Sequence, residues 1–212
     1  MYVRTVWELE EEGIVPIRAR LAERLGLSAP SVSETVSRLE NEGLLGLSDD
    51  RVLELTEEGR ALAVSVMRKH RLAECLLVDV IGLEWERVHE EACRWEHVIS
   101  DQVESKLVEL LGEPKRCPHG NPIPGLGDEG RTEALGNLAA AAELGAPVRI
   151  ERLSEKLQGD IDAMRTLVGQ GLMPGTVVEP KRRGDRFVMV VDGREVSLRV
   201  DVARLVYVAP AA

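Results

Sequence analysis

Between Val88 and Val98 the chain reads VHEEACRWEHV, which places His89, Cys93, Glu96 and His97 close together. On an α-helix turning about 100° per residue, these four side chains fall within an arc of roughly 100°. Imidazole nitrogen, thiolate sulfur and carboxylate oxygen together form a donor mix that divalent iron, manganese, cobalt, nickel and zinc accept. Upstream, His70 and Glu74 stand four apart, so a helix carries them on one face as well. The plainer alternative is a pair of solvated amphipathic helices that happen to carry His and Glu. Against it, three of the four histidines fall in these two segments and a cysteine joins them. Metal binding is the chemistry that the spacing favours. Cys117 and His119, in the loop CPHGNPIPGL, are also possible ligands, but two donors across one turn are more often structural or solvent-exposed.

The segments around these residues follow from caps and periodicity. Tyr2–Glu12 reads as a helix closed by Gly13, with Pro16 soon after. Arg18–Leu25 is a second helix, stopped by Gly26. Ser28 then caps a third, with Pro30 in its first turn and Val32, Val36 and Leu39 on its buried edge. Two helices joined by a tight Leu25-Gly26-Leu27 turn outline a helix-turn-helix. Leu44–Leu47 and Val52–Leu55 flank a turn at Ser48, Asp49 and Asp50, the hairpin expected of a wing. A bland three-helix packing module is the alternative; turn, caps and wing together favour DNA binding. The N-terminal end of the third helix would then meet base edges through Ser28, Pro30, Ser31, Ser33 and Glu34, with Arg18, Arg38 and Arg51 on phosphates.

Thr56 starts a long helix expected to reach about Val80, carrying His70 and Glu74. Trp85–Ile99 is the helix of the metal stripe, and Asp101 is expected to cap another through Leu111. Their apolar positions, Leu72, Leu76, Leu77, Val88, Ala92, Trp95, Val98, Val103, Leu107 and Leu110, exceed what one small domain needs, which points to a homodimer. The stretch 127–146 is small and polar and reads as a flexible tether. From Val148 the pattern changes to short strands (VRIERL, TVVEP, RFVMVVD, EVSLRV, RLVYVA), with turns at Arg183-Gly184-Asp185 and Asp192-Gly193 and a short helix near Asp160–Val168. That pattern predicts a small β-barrel. Glu155 and Gln158 lie between its first strand and that helix, of interest only if a metal site needs outside oxygen donors.

Bulk properties set bounds without deciding function. The 212 residues are 44% hydrophobic and 30% charged, an ordinary soluble composition with room for two or three small domains. No apolar run approaches the ~20 residues that span a bilayer, and the N-terminus lacks a signal-peptide layout, so a cytoplasmic location and no membrane partner are expected. Three cysteines without zinc-finger spacing argue against a disulfide framework. A net charge of −10 weighs weakly against nucleic acid, although a bound metal would add positive charge.

MRKHRLAE at 67–74, VHEEACRWEH at 88–97, GNPIPGL at 120–126 and LQGDID at 157–162 resemble, in order and spacing, the diphtheria toxin repressor family of iron-dependent transcriptional repressors. The resemblance covers essentially the whole chain. It implies a mainly α fold with a small β domain: a winged helix-turn-helix over 1–64, a helical dimerisation and metal-binding domain over 65–126, the tether, and an SH3-like domain over 147–212. It further implies two metal sites per subunit. An activating site would use Met1, Cys93, Glu96 and His97. An ancillary site would use His70, Glu74 and His89, completed by Glu155 and Gln158. Iron-sensing relatives carry Gln where this chain has Glu34, so their operator sequence does not transfer. Relatives also extend several residues ahead of the Met that matches Met1.

The expected function is therefore a repressor, not an enzyme, dimeric on a palindromic operator with room for two dimers. Fe(II) or Mn(II) would be the co-repressor, with Co(II), Ni(II), Zn(II) or Cd(II) substituting in vitro. Two other classes compete. One is a small metalloenzyme that activates water at an open coordination position; the helix-turn-helix would then have no use. The other is a winged-helix regulator whose metal site is vestigial.

Overall fold

The computed structural model describes residues 1–126, 136–143 and 145–211, and the chain divides into two compact units, Met1–Lys69 and His70–Ala212. In the first, helices α1 (Tyr2–Glu11), α2 (Arg18–Leu25) and α3 (Ala29–Asn41) are followed by the hairpin β1 (Leu45–Leu47) and β2 (Leu53–Leu55). Val3, Val6 and Leu9 of α1 pack with Leu21, Val32, Val36, Leu39, Leu45 and Leu53 in one apolar core. The α2–α3 turn forms as its residues dictate. Gly26 ends α2 in the left-handed conformation at φ 65°, and the Ser28 hydroxyl accepts from the Ser31 N–H. The hairpin pairs Leu45 with Leu55 and Leu47 with Leu53.

Helix α4 (Glu57–Cys75) begins where Thr56 donates to the Gly43 carbonyl and accepts from the Gly59 N–H. Only glycine fits at 59, because a Cβ there would lie 1.9 Å from the Leu44 carbonyl oxygen. The helical path runs on to Ile81, close to the expected end at about Val80, but Leu76–Ile81 is wound as a wider π-helical turn that Gly82 closes at φ 77°.

In the second unit, α4 leads through that turn and a 3₁₀ turn (Trp85–Arg87) to α5 (Val88–Trp95) and α6 (Asp101–Leu110). The cap of α6 is Ser100, whose hydroxyl accepts from the Val103 N–H; Asp101 is its first helical residue, not the cap. Several apolar residues expected at a subunit face, among them Leu72, Leu77, Val88, Ala92 and Leu107, are buried within the unit.

The remaining chain builds two small sheets around one core. Strand β9 (Val206–Pro210) lies between β3 (Gly136–Asn137) and β4 (Val148–Leu153), and β5 (Val177–Val178) completes that sheet on the far side of β4. Strands β6 (Lys181–Arg183), β7 (Arg186–Val191) and β8 (Arg194–Arg199) form the other. Ile150, Leu153, Phe187, Met189, Leu198 and Val206 meet between them, with Met164 and Leu167 of α9 (Ile161–Gln170). Short helices α7 (Leu138–Ala141), α8 (Glu155–Gln158) and α10 (Val200–Ala203) fill the connections. Part of the stretch expected as a tether thus belongs to this domain. Residues 136–137 pair with β9, Asn137 caps α7, and Leu138 and Ala141 are buried, so alanines that read as linker serve as helix and core. Residues 127–135 of that stretch lie outside the described residues. Among the described residues no helix is long and apolar enough to cross a membrane.

Candidate metal centre

Helix α4 brings His70 and Glu74 to one face, fully buried, as their spacing requires. α5 presents His89 towards them, and α8, capped by the Ser154 hydroxyl at the Leu157 N–H, delivers Glu155. One ligand atom from each of His70, Glu74, His89 and Glu155 lies within 4.8 Å of the others. His70 Nε2 is 3.1 Å from Glu74 Oε1 and 3.6 Å from Glu155 Oε2. His89 Nδ1 is 3.5 Å from Glu74 Oε1 and 3.4 Å from Glu155 Oε2. These are four of the five residues expected at the ancillary site. The fifth, Gln158, is buried close by in sequence but donates its amide to the Leu153 carbonyl, while its Oε1 has no hydrogen-bond partner.

The arrangement is held from outside the cluster. Arg71, fully buried, sends Nη2 and Nε to Glu155 Oε1 at 2.9 and 3.2 Å and Nη1 to the Pro122 carbonyl at 2.5 Å. The 117–123 loop lies against β4: Leu153 N–H donates to the His119 carbonyl, Asn121 donates to the Leu153 carbonyl, and Arg152 reaches Asn121 Oδ1 while stacking over Tyr207. A Cβ on Gly120 would stand 2.0 Å from the Glu151 carbonyl oxygen, so the loop can approach the strand only as glycine.

Sequence reasoning undervalued Cys117 and His119. Both are buried, and together with Glu74 they form a further group whose ligand atoms lie within 4.8 Å. His119 Nδ1 is 3.2 Å from Glu74 Oε1, its Nε2 faces the Trp85 carbonyl, and its ring lies 4.7 Å from the Trp85 indole. The available signal was the loop's Pro and Gly content, which permits a sharp return of the chain onto the site.

Of the expected activating residues, Cys93 on α5 and Glu96, the C-cap of that helix, lie in the same region, whereas His97 falls beyond the helix end. α5 ends at Trp95, and His97 sits in the following turn with 53% of its side chain exposed, its Nε2 3.2 Å from Glu96 Oε1. The four-residue stripe is therefore shorter than the spacing suggested. Glu96 Oε2 receives His70 Nδ1 at 2.8 Å, and Cys93 Sγ lies 3.6 Å from His89 Nε2. Met1 belongs to the first unit, where it is 72% exposed ahead of α1.

Electrostatics match the donor set. Burial alone would push the Glu74 carboxyl up, but His119 and His70 beside it hold it well below the usual carboxylate range. Burial opposes ionisation of Glu155 too, and Arg71, His89 and His70 outweigh it, so it is also held low. For His89 burial works downward, yet Cys93, Glu155 and Glu74 raise its imidazole well above its ordinary value. Burial, with Glu74 next, raises the Cys117 thiol. Arg71 and the raised His89 imidazole thus set positive charge beside buried carboxylate here, a balance that a divalent cation would take over. Glu74 Oε2 is buried without a hydrogen-bond partner, as is Gln158 Oε1, and both are hard oxygen donors. The residues present fit a first-row divalent metal.

In the first unit, Ser28, Pro30, Ser31, Ser33, Glu34, Arg38 and Arg51, the residues expected to meet DNA, are exposed. Arg18 is half-buried and ion-paired to Glu40 at 3.4 Å, and Arg38 pairs with Glu42 at 3.2 Å.

Comparison with known proteins agrees with this arrangement. Residues 1–53 match the iron dependent repressor N-terminal DNA binding domain, residues 56–125 the iron dependent repressor metal binding and dimerisation domain, and residues 138–210 the FeoA domain. The iron-dependent repressor IdeR of Mycobacterium tuberculosis is 52% identical over 218 residues, covering 98% of this chain and 95% of that protein. The diphtheria toxin repressor of Corynebacterium glutamicum is 52% identical over 214 residues, covering 98% and 94%. Among solved structures, a manganese-dependent transcriptional repressor in complex with manganese superposes with a TM-score of 0.83 at 30% identity, covering 99% of this chain and 98% of that one.

Proposed function

The chain belongs to the iron-dependent repressor family of metal-dependent, DNA-binding transcriptional regulators, and from that membership we propose a two-site mechanism for it. Fe(II) or Mn(II) is the co-repressor, and the protein acts in the cytoplasm as a homodimer on a palindromic operator of metal-uptake genes, with room for two dimers. The ancillary site is His70, Glu74, His89 and Glu155, with Gln158 as a further oxygen donor. The activating site is Cys93, Glu96 and His97, with Met1. Co(II), Ni(II), Zn(II) and Cd(II) substitute in vitro, since first-row metals are separated by affinity order and availability.

One observation carries this reading. Four buried side chains from α4, α5 and α8 converge within 4.8 Å, and one of them, Glu74, has a buried carboxylate oxygen, Oε2, that makes no hydrogen bond. A purely structural cluster of this polarity would satisfy that oxygen.

When bound, the cation supplies concentrated positive charge and directional bonds to these donors. Arg71 keeps Glu155 aimed at the imidazoles, and the 117–123 loop keeps the β domain against the helices. Metal acts on DNA binding by favouring the operator-competent state over the other. A near-complete switch needs about 5.5 kcal/mol of differential binding. Ser28, Pro30, Ser31, Ser33 and Glu34 read bases and Arg51 meets a phosphate, a role that their exposure at the start of α3 and in the wing turn supports. Arg18 and Arg38 reach phosphates by exchanging their glutamate partners. Val80, Ile81, Val98, Val103 and Leu110 remain exposed and supply the apolar surface of a dimer.

Anaerobic operator titration with and without Fe(II) tests the proposal. Metal-stimulated binding at two ions per subunit is expected; binding indifferent to metal would overturn it.

A further inference from the structure

The register of the three-stranded sheet sets like charges side by side. Arg183 of β6 pairs with Arg186 of β7, and Arg186 pairs in turn with Arg199 of β8. Directly paired residues share a face of a sheet, and faces alternate along each strand. Phe187 and Leu198, the next pair along, belong to the core, so the three arginines stand in one row on the outer face. Lys181, paired with Val188, is outward too. Lys181, Arg183 and Arg199 are exposed and Arg186 is half-buried. On a chain whose net charge is −10, this concentration of cations runs against the composition.

We propose that the outer face of the β6–β8 sheet is a second DNA contact, in which Arg183, Arg186 and Arg199 lie across the phosphate backbone of a duplex. This contact builds on the DNA binding that family membership gives the first unit.

Electrostatics and shape select the occupant. Like charges directly opposite one another destabilise a sheet, and an anion laid over the row removes that cost. The present partners of the three guanidinium groups are weak or neutral. Arg183 Nη1 is 3.3 Å from Glu195 Oε1, and Arg199 Nε donates to Asp201 Oδ1 at 3.0 Å; both are exposed pairs. Arg186 gives Nε to the Ser197 hydroxyl at 2.9 Å and Nη2 to the Ser197 carbonyl at 3.3 Å. Exposed ion pairs contribute little and yield to a denser anion. Neighbouring strands lie about 4.8 Å apart, so the row spans about 10 Å. Over that length a duplex presents about six phosphate charges. Single-stranded nucleic acid fits less well, because the sheets that read it stack bases on outward aromatic rings. Phe187, the aromatic residue of these strands, is buried in the core. The face can therefore hold a backbone without reading a base, and its contribution is independent of sequence.

Fluorescence anisotropy tests the contact, with the Mn(II)-loaded full chain, a mixed-sequence duplex and a series of KCl concentrations. The variant is Arg183→Gln/Arg199→Gln. Its control is Lys115→Gln/Arg149→Gln, which makes the same change in net charge and likewise leaves two glutamates without their cations. The variant is expected to flatten the slope of log affinity against log salt by about 1.8, the share of two phosphates, and to weaken binding roughly tenfold at low salt. The control is expected to follow the wild type. An unchanged slope overturns the proposal, as does an equal loss in the control.

Glu195→Gln gives a change that misfolding does not imitate. It frees Arg183 and is expected to tighten duplex binding about threefold; unaltered or weaker binding overturns the proposal. Wild-type protein that binds no duplex at low salt would bring down the DNA-binding reading of the first unit along with it. Phosphatidylglycerol vesicles offer a competing polyanion. Vesicle binding that is lost in Arg183→Gln/Arg199→Gln while duplex binding stays intact would assign the face to a lipid surface instead.

Discussion

Glu74 Oε1 has three imidazole nitrogens around it, from His70, His119 and His89, at 3.1, 3.2 and 3.5 Å. His119 and His70 hold Glu74, and Arg71, His89 and His70 hold Glu155, below the usual carboxylate range, so an incoming cation would compete with charge already beside the carboxylates. His89 is raised above its ordinary value, hence it is more protonated at neutral pH than a free imidazole and must lose that proton to bind. Metal binding near pH 7 should therefore release protons, measurable with an indicator dye in weak buffer, and affinity should fall as the pH is lowered. For the metal-free fold the signs are opposite for the two kinds of group. Depressed Glu74 and Glu155 contribute stability above about pH 4.5 that is lost on acidification, while His89 contributes below about 6.5 and its share is lost as pH rises through its folded value. Replacing Cys93 or Glu96 by Ala should weaken Fe(II)-stimulated operator binding at least about tenfold in a gel-shift assay while the dimer stays folded. Glu34→Gln should change base preference at one position of each half-site in selection from random DNA, because an acceptor becomes a donor–acceptor amide; identical selected sequences would show that residue 34 faces away from the bases. His70, Glu74 and His89 were legible from helical spacing. Glu155 entered only through the family resemblance, and His119 was undervalued, because contacts across 45 residues leave no periodic trace in the chain.

At the scale of elements, caps and turns were the readable part. The Ser28 cap, the Gly26 turn and the wing hairpin all formed where their residues placed them. The errors fell where tertiary packing overrides local pattern. The stripe helix stops at Trp95, α4 widens into a π-turn, and alanines after residue 136 fold into the β domain. The 117–123 loop is the clearest case. Its Pro and Gly residues read only as irregular, but they let the backbone lie against β4 closely enough that Gly120, at φ 85°, has no room for a side chain. Gly120→Ala should cost about 3 kcal/mol or more, since both the positive φ and the Glu151 carbonyl oppose a Cβ. Thermal unfolding of the metal-free protein measures this, and a wild-type midpoint would show that the loop does not hold that strand.

Across the whole molecule, composition announced an ordinary soluble protein and motif order announced its three-part organisation, but neither could show that the β domain and the helical region make one compact unit. That unit has an alkaline weakness. Burial, with Glu74 and Asp79 adding to it, pushes the Cys75 thiol up to about 12, whereas an unfolded chain ionises it near 9. Its stabilising effect is complete below pH 9 and is lost as pH climbs towards 12, at about 1.4 kcal/mol per pH unit. Cys75→Ala should flatten the fall of denaturation midpoint between pH 9 and 11; an equally steep fall would place the cause elsewhere.

The contacts that stitch β4 and α8 to the helices do not depend on the peptide bonds between them. Arg71 to Glu155, Leu153 to His119, Asn121 to Leu153, and Trp85 against the β-domain core all join residues on either side of 127–135. Two separate polypeptides, 1–126 and 136–212, should consequently recognise each other when co-expressed and co-purify as a split pair that lacks residues 127–135; failure to co-purify would show that these contacts need the connecting chain. Such a split pair would make the repressor assemblable on demand, its reunion held by contacts that need no continuous backbone.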